Sequence, residues 1–262
     1  MRMLIATWNI NSVKAHLEVA RRWLTEAKPD IVCLQEIKCE DGAFPAAALE
    51  ELGYNAIING QKTYNGVAIL SKQRAEDVRR GLPGEPADDH ARYIEAVFPA
   101  PFGVVRVASI YLPNGNPANT DKYRYKLSWM DRLAAHARDL LTLEEPLVLA
   151  GDYNVIPSPR DARHPEAWVN DALYLPQTRQ RFHGLANLGL VDAVRALAPE
   201  QAGLYSFWDY QAGAWQRDNG IRIDHLMLSP QAADRLKLAR IDREPRGWER
   251  PSDHTPVVIG LE

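Results

Sequence analysis

Short polar clusters follow apolar, β-prone runs at five places in this chain, and this arrangement constrains the fold more than any other feature of the sequence. In an open α/β fold the strand ends meet at a crevice where ligands bind. We therefore expect the acids, amides, phenol and imidazole of these clusters to form one site suited to a metal and a phosphate. The clusters are Asn9 with Asn11, Gln35–Glu36, Tyr111–Asn114, Gly151–Asn154 and Ser252–His254.

Length and composition predict one large domain over residues 1–262. The chain is 46% apolar, which is enough for a sizeable core. Its formal charge of -3 lacks the basic excess of many nonspecific nucleic-acid binders, so phosphate binding must be local. Cys33 and Cys39 indicate neither a disulfide framework nor a zinc site. With no apolar stretch typical of a signal peptide or a membrane span, we expect a reduced, cytoplasmic monomer.

Strands and helices alternate along the chain. Their spacing and their breaker residues predict a layered α/β sandwich, with a functional or disordered loop from Ile156 to Pro176. The predicted strands are Met3–Trp8, Ile31–Leu34, Gly66–Leu70, Arg92–Phe98, Val104–Tyr111, Leu147–Ala150, Tyr205–Tyr210, Ile221–Leu228 and Val257–Leu261. Four helices are predicted. The first contains Leu17 to Ala27 and is capped by Asn11 and Ser12, and the third is a long helix that contains Leu127 to Leu141. The second and fourth are Pro45–Leu52 and Gln177–Leu188.

Two carboxylates stand directly after apolar runs. Asp152 can hold a metal or orient water, and Asn154 can donate to a phosphate, although an Asx turn also explains this pair. Glu36 is a suitable hard ligand for Mg²⁺ or an ordinary solvated glutamate. Lys38, two residues further on, can neutralise either a phosphate or Glu36.

Asp224 lies among apolar neighbours that predict its burial, and a buried carboxylate needs a partner. Arg222, on the same strand face, is one candidate partner. The other is His254, whose imidazole a carboxylate would orient and keep cationic. His254 lies next to Asp253, just before the last predicted strand. It is either a catalytic residue or a polar residue with no catalytic role.

The remaining clusters have ordinary explanations as well. Tyr111 can bind a phosphate oxygen, while the Pro-Asn-Gly sequence that includes Asn114 is typical of a β-turn. Asn9 and Asn11 can bind metal-coordinating water or carboxylates, and capping of the following helix by Asn11 is equally plausible.

Six motifs in order make the chain resemble the exonuclease III family, the bacterial apurinic/apyrimidinic endonucleases within the endonuclease/exonuclease/phosphatase superfamily. The resemblance runs from Met3 to Leu261, and six ordered motifs are far more specific than any one of them. The motifs are Trp8-Asn9-Ile10-Asn11, Leu34-Gln35-Glu36-Ile37-Lys38, Tyr111-Leu112-Pro113-Asn114, Gly151-Asp152-Tyr153-Asn154, Arg222-Ile223-Asp224 and Ser252-Asp253-His254.

The resemblance implies a four-layered α/β sandwich of two mixed β-sheets flanked by helices, and Mg²⁺-dependent cleavage of double-stranded DNA, with Mn²⁺ as a substitute metal. It implies metal binding by Glu36, with Asn9, Asp253, Asp152 and Asn154 in the same set. Asp152 is the implied water-activating group, or else a second metal ligand. The implied phosphate contacts are Asn154, Tyr111, Asn114 and His254, which Asp224 orients. The implied substrate contacts also include Asn11, Lys38 and Arg222.

The resemblance implies substrate choice through a pocket for a base-less sugar. Tyr64 matches the DNA-contacting loop, while Phe207, Trp208, Ile221 and Ile223 match the pocket or else pack the sheet core. Ile221 replaces a tryptophan found in some members, and the segment Asn116-Pro117-Ala118-Asn119 lacks an arginine that some homologues insert into DNA.

The expected function is 3′ to 5′ exonuclease activity together with incision 5′ to abasic sites. One alternative keeps the fold and the metal but acts on RNA, a phospholipid or an inositol phosphate. Another is a noncatalytic DNA-binding module. The intact set Glu36, Asp152, Asn154, Asp224 and His254 disfavours this last alternative.

Overall fold

Two mixed β-sheets, each of six strands, form the framework of the molecule. The structure, a computed structural model, describes residues 2–84 and 88–262. The strands are β1 (Met3–Asn9), β2 (Ile31–Gln35), β3 (Asn55–Asn59), β4 (Val67–Ser71), β5 (Glu76–Arg80), β6 (Tyr93–Ala100), β7 (Gly103–Tyr111), β8 (Leu147–Asp152), β9 (Val191–Asp192), β10 (Asp224–Leu228), β11 (Leu236–Ile241) and β12 (Val257–Leu261). The first sheet has the order β11-β12-β1-β2-β4-β3, and the second has the order β5-β6-β7-β8-β10-β9.

Strand direction puts several strand ends at one edge of the molecule. The pairs β1 with β2 and β7 with β8 are parallel, so the carboxyl ends of each pair lie side by side. The pair β8 with β10 is antiparallel, and Asp152 at the end of β8 stands opposite Asp224 at the start of β10. β6 and β7, which follow one another directly in the sequence, pair antiparallel as a hairpin.

Alternating side chains build three layers of apolar contact. On β1, Ile5 faces the space between the sheets, where it joins residues of the second sheet such as Val107 and Leu226. Ala6 and Trp8, on the opposite face of β1, point outward and pack against a helix. A third apolar layer covers the outer face of the second sheet. The predicted four-layered α/β sandwich is confirmed.

The longer helices cover the outer faces of both sheets. The helices are α1 (Leu17–Ala27), α2 (Ala46–Glu50), α3 (Asp121–Leu141), α4 (Pro176–Asn187), α5 (Ala193–Leu197) and α6 (Pro230–Ala233), with short 3₁₀ turns at Asp41–Ala43, Pro159–Asp161, Pro165–Trp168 and Glu244–Gly247. Buried Trp23 and Leu24 attach α1 to the first sheet, and buried Leu133 and Ala137 attach α3 to the second. Among the described residues, no helix is long and apolar enough to cross a membrane.

Three sequence predictions need correction. The first helix starts at Leu17, because Asn11 and Ser12 adopt left-handed backbone conformations and form a turn instead of an N-cap. The predicted strand Tyr205–Tyr210 is wrong, since only Phe207 makes bridges, to Ile221 and His254. The predicted strand Ile221–Leu228 begins only at Asp224, which is therefore its first residue and not an interior one.

A buried ion-pair network holds the loop after β8 against the second sheet. Arg222 is fully buried, and its Nε donates to Asp161 Oδ1 at 2.6 Å while its Nη1 donates to Asp192 Oδ2 at 2.8 Å. Arg195 also donates to Asp161, at 2.6 Å. Burial alone would raise the pKa of Asp161, but Arg222 and Arg195 hold it well below its usual range. Arg222 therefore pairs with these acids and not with Asp224.

We expect Asp161→Asn to lower the free energy of unfolding by about 3 kcal/mol, because it removes one partner of a buried ion pair. Glu200→Gln is the matched control, since its partner Arg160 and Glu200 itself are exposed, and it should change stability by less than about 1 kcal/mol. Denaturant unfolding of both variants measures the difference.

The pH dependence follows from the depressed pKa of folded Asp161. The stabilisation is present above the ordinary aspartate pKa of about 4 and is lost as the pH falls towards the folded value. The stability gap between the wild type and Asp161→Asn should therefore shrink in acid. A gap that stayed constant from neutral to strongly acidic pH would contradict this assignment.

Candidate active site

A shallow cavity opens where the strand ends of the two sheets meet. The first sheet contributes Asn9 at the end of β1 and Glu36 directly after β2, and the second contributes Tyr111 and Asp152 at the ends of β7 and β8. The cavity has a volume of about 250 Å³. Its lining consists of Glu36, Tyr111, Asn114, Asn116, Asp152, Asn154, Trp168, Leu173, Phe207, Asp209, Ile221, Ile223, Asp253 and His254.

A buried chain of two carboxylates and one imidazole lies at the base of the cavity. His254 Nδ1 is 2.8 Å from Asp224 Oδ2, and His254 Nε2 is 3.8 Å from Asp152 Oδ2. Ser206 also donates to Asp224 Oδ2, at 2.6 Å, so that oxygen is held from two sides. The bond from His254 to Asp224 leaves Nε2 as the imidazole atom nearest Asp152. Of the two partners considered for Asp224, the structure selects His254.

Burial and charge give these groups unusual proton affinities. Burial alone would lower the pKa of His254, but the Asp224 carboxylate and the nearby Asp152 raise it well above its usual value. Burial raises the pKa of Asp152; the His254 charge opposes that rise and Asp224 adds to it. Asp152 is thus a stronger base than an exposed aspartate, next to an imidazolium that stays protonated at neutral pH.

The side chain of Asn9 connects the carboxylates of the two sheets. Its amide nitrogen donates to Glu36 Oε1 at 2.8 Å and to Asp152 Oδ2 at 2.9 Å. Its amide oxygen accepts the backbone N–H of Asn11 at 3.0 Å. Asn9 therefore acts here as a donor that brings Glu36 and Asp152 together, and its oxygen is turned away from them.

Glu36 is ionised and already holds a cationic group. Lys38 Nζ lies 2.8 Å from Glu36 Oε2. Burial alone would raise the pKa of Glu36, but the charge of Lys38 and the bond from Asn9 lower it below its usual value. Lys38 also donates to Asn11 Oδ1, and Asn11 in turn donates to Asp253 Oδ1 at 3.0 Å.

The donor set around Glu36 fits a hard divalent cation. Oxygens of Glu36 and Asp152 converge on one amide nitrogen, and the ammonium of Lys38 shows that the local field favours positive charge. Carboxylate oxygens are the ligands that Mg²⁺ prefers. Asp152, Asp224 and His254 also offer ligand atoms within 4.8 Å of one another, but the 2.8 Å contact between His254 Nδ1 and Asp224 Oδ2 already engages two of these groups. The cation site that the chemistry favours is therefore at Glu36, next to Asp152.

Two side-chain amides form one wall of the cavity. Asn114 Nδ2 donates to Asn154 Oδ1 at 3.1 Å, and Asn154 Nδ2 donates to the carbonyl of Leu112 at 2.9 Å. Each amide nitrogen carries a second hydrogen that can bind an anion. Burial, with Glu36 and Asp152 nearby, raises the pKa of Tyr111 well above its usual value, so Tyr111 is a neutral phenol that can donate as well.

The predicted apolar pocket is present in part. Phe207, Ile221 and Ile223 line the cavity, and Trp168 and Leu173 complete its apolar side. Trp168 and Leu173 were not predicted individually, although they lie within the stretch that the sequence marks as a functional loop. Tyr64 is 68% exposed on its own loop, outside the cavity lining.

Two predicted substrate contacts lie elsewhere. Trp208 is fully buried with Tyr205 and Trp215 in a separate aromatic cluster, because its side chain points away from that of its neighbour Phe207. The guanidinium group of Arg222 is ion-paired with Asp161 and Asp192, as described above. Neither side chain can reach a ligand in this cavity.

Left-handed backbone conformations occur at these strand ends. Asn11, Glu36, Lys38 and Asn154 all have left-handed backbone conformations, with φ between 46° and 54°. Such conformations are costly for residues other than glycine and cluster at functional sites. The strand-end geometry is thus held against local preference by the contacts described above.

Comparison with known proteins shows similarity over nearly the whole chain. The chain matches the Endonuclease/Exonuclease/phosphatase family over residues 6–254. Exodeoxyribonuclease III of Haemophilus influenzae is 32% identical over 262 residues, which cover 97% of this chain and 98% of that protein. The structure of an AP endonuclease from Archaeoglobus fulgidus has a TM-score of 0.94 and 36% identity, covering 99% of both chains. That of a 3′ phosphatase from Neisseria, bound to a product DNA hairpin, has a TM-score of 0.95 and 41% identity, also covering 99% of both chains.

We expect the imidazole of His254 to stay protonated across neutral pH, and Asp224→Asn to lower its pKa, because burial then acts with less opposition from a carboxylate. Nuclear magnetic resonance titration of the imidazole nitrogens measures this pKa. His225 is the internal control, because burial and Arg222 hold its pKa at about 4 in both proteins. Identical His254 titration curves in the wild type and Asp224→Asn would rule out the proposed pairing as the cause of the shift.

Proposed function

The chain belongs to the Endonuclease/Exonuclease/phosphatase family, and from this premise we propose that it is a metal-dependent nuclease that repairs double-stranded DNA. The proposed reactions are 3′ to 5′ removal of nucleotides and incision 5′ to abasic sites. The observation that carries the proposal is the buried arrangement of Asp152, His254 and Asp224 beside the ionised Glu36. The relatives named exodeoxyribonuclease III and AP endonuclease support the choice of substrate.

In the proposed reaction, Asp152 orients a water molecule and takes its proton as the water oxygen attacks phosphorus. Its raised pKa supports this role, because a general base works best with a pKa near the working pH. The bond between phosphorus and the 3′ oxygen breaks, the leaving 3′ oxygen takes a proton from solvent water, and Asp152 returns its proton to solvent. Glu36 is the proposed principal ligand of Mg²⁺, with Asp152 beside it. The cation would supply positive charge against the negative charge that develops on the phosphate.

The remaining groups bind and neutralise the phosphate in this proposal. His254 donates from Nε2, and Asp224 keeps the imidazole cationic and correctly turned. Asn114 and Asn154 donate from their second amide hydrogens, and Tyr111 donates from its neutral hydroxyl. Donors already aimed at developing charge lower the barrier without reorganising during the reaction.

The apolar side of the cavity supports recognition of a sugar that carries no base. Phe207, Ile221, Ile223 and Trp168 offer apolar contact, and the volume of about 250 Å³ leaves little space beside a phosphate. A second activity, removal of a 3′ phosphate, is favoured by the 41% identity to the Neisseria 3′ phosphatase. The same phosphate-binding groups would serve either reaction.

We expect cleavage of three labelled duplexes in the presence of Mg²⁺: one with an internal abasic analogue, one with a recessed 3′ end and one with a 3′ phosphate. Chelation of the metal should stop all three reactions, and an intact duplex with no accessible 3′ end is the control. Gel analysis of product ends separates incision, exonuclease trimming and phosphate removal. Hydrolysis of a lipid or inositol phosphate with no reaction on any duplex would contradict the proposal, as would tight DNA binding without cleavage.

A further inference from the structure

A fully buried lysine stands directly behind the two amides of the cavity wall. Lys126 lies in the first third of α3, and its side chain extends between the loop after β7 and the loop after β8. Its Nζ donates to the carbonyl of Asn114 at 3.0 Å and to the carbonyl of Asn154 at 2.5 Å. Burial of Lys126 has no signature in the sequence, because its neighbours on α3 include the exposed basic residues Lys122 and Arg124.

The two carbonyls belong to the residues whose side chains face the cavity. Asn154 has φ of 47°, a left-handed conformation that asparagine adopts more readily than most residues, and the bond from Lys126 to its carbonyl holds the backbone there. The bond between the Asn114 and Asn154 side chains links the same two loops on the cavity side. Lys126 therefore closes a ring of contacts in which the backbone and the side chains of both residues are fixed.

The loops are shaped around this lysine. Gly115 has φ of 89°, and a Cβ at this position would lie 2.6 Å from Lys126 Cδ. Burial lowers the pKa of Lys126 to about 7, against the opposing influence of Asp152 and Asp171. Both carbonyls can be satisfied in either state, because a neutral amine has two hydrogens and an ammonium has three. Among the residues that the structure describes, no carboxylate bonds to Lys126, and buried lysines of this kind are rare, which indicates a specific reason for its presence.

We propose that Lys126 is a positioning residue, which fixes Asn114 and Asn154 in the geometry needed to bind the phosphate during cleavage. It does not touch the substrate and acts only through these two residues. This inference rests on the proposed function for its effect on rate. Its structural consequence, the immobilisation of the two loops, can be measured without any catalysis.

The test compares Lys126→Met with Leu140→Ala. Methionine has a similar length and leaves both carbonyls without their donor. Leu140 is buried on the same helix about 21 Å further along, so its truncation destabilises the protein without reaching the loops. Thermal unfolding establishes that both variants are folded and comparably destabilised at the assay temperature.

We expect Lys126→Met to lower kcat on the duplex cleaved by the wild type by about 10²-fold, since small displacements of aligned groups cost that much. The dissociation constant for the same DNA, measured in chelator, should change by less than about threefold, because most contacts to DNA are with other phosphates. Leu140→Ala should retain the wild-type kcat. Hydrogen exchange of residues 112–116 and 152–156 should be about tenfold faster in Lys126→Met only.

Wild-type kcat in Lys126→Met, with an active wild type, overturns the positioning role and leaves the proposed function intact. An inactive wild type overturns the proposed function, and hydrogen exchange then decides on the positioning role alone. If Lys126→Met does not fold, Lys126→Gln asks the same question, because it keeps an amide donor on a side chain too short to make both bonds to the two carbonyls. An unchanged kcat and unchanged exchange in Lys126→Gln would also overturn the proposal.

Discussion

The contact between the two sheets at one shared edge is the constraint on which the whole site depends. His254 precedes the last strand of the first sheet, whereas its partner Asp224 begins a strand of the second. Asn9, at the end of a strand of the first sheet, donates a hydrogen bond to Asp152 of the second sheet. Isolated charges at this depth would cost several kcal/mol each, so they are stable only as a paired set. The buried charges are therefore paired only where the two sheets are packed together.

The order of elements could be predicted largely from the sequence, because buried strands and amphipathic helices have strong periodic patterns. Strands at or near the sheet edges were missed. Glu76–Arg80 is exposed along its whole length and carries mostly charged residues, so no apolar alternation marks it. Asn55–Asn59, Leu236–Ile241 and the short Val191–Asp192 were missed too. Tyr205–Tyr210 has a strand-like composition, but its aromatic residues pack into a local cluster in place of a ladder.

The polar part of the site could be predicted because strand ends are visible as a change from apolar to polar residues. The partner of Asp224 could not be decided from the sequence, since Arg222 is two residues away and His254 is thirty. Only the tertiary structure shows that Arg222 faces Asp161 and Asp192. Trp168 and Lys126 were missed for a similar reason, because one lies in an aperiodic loop and the other on a helix with exposed basic neighbours.

The proposed reaction depends on Asp152, which activates water within this buried set. The most direct measurement is single-turnover cleavage of an abasic duplex by Asp152→Asn, alongside Asp131→Asn, which removes an exposed carboxylate on α3. We expect Asp152→Asn to lose about 10³-fold or more in rate while it still binds the duplex, and Asp131→Asn to cleave at the wild-type rate. Wild-type cleavage by folded Asp152→Asn would contradict the role of Asp152 in activating water.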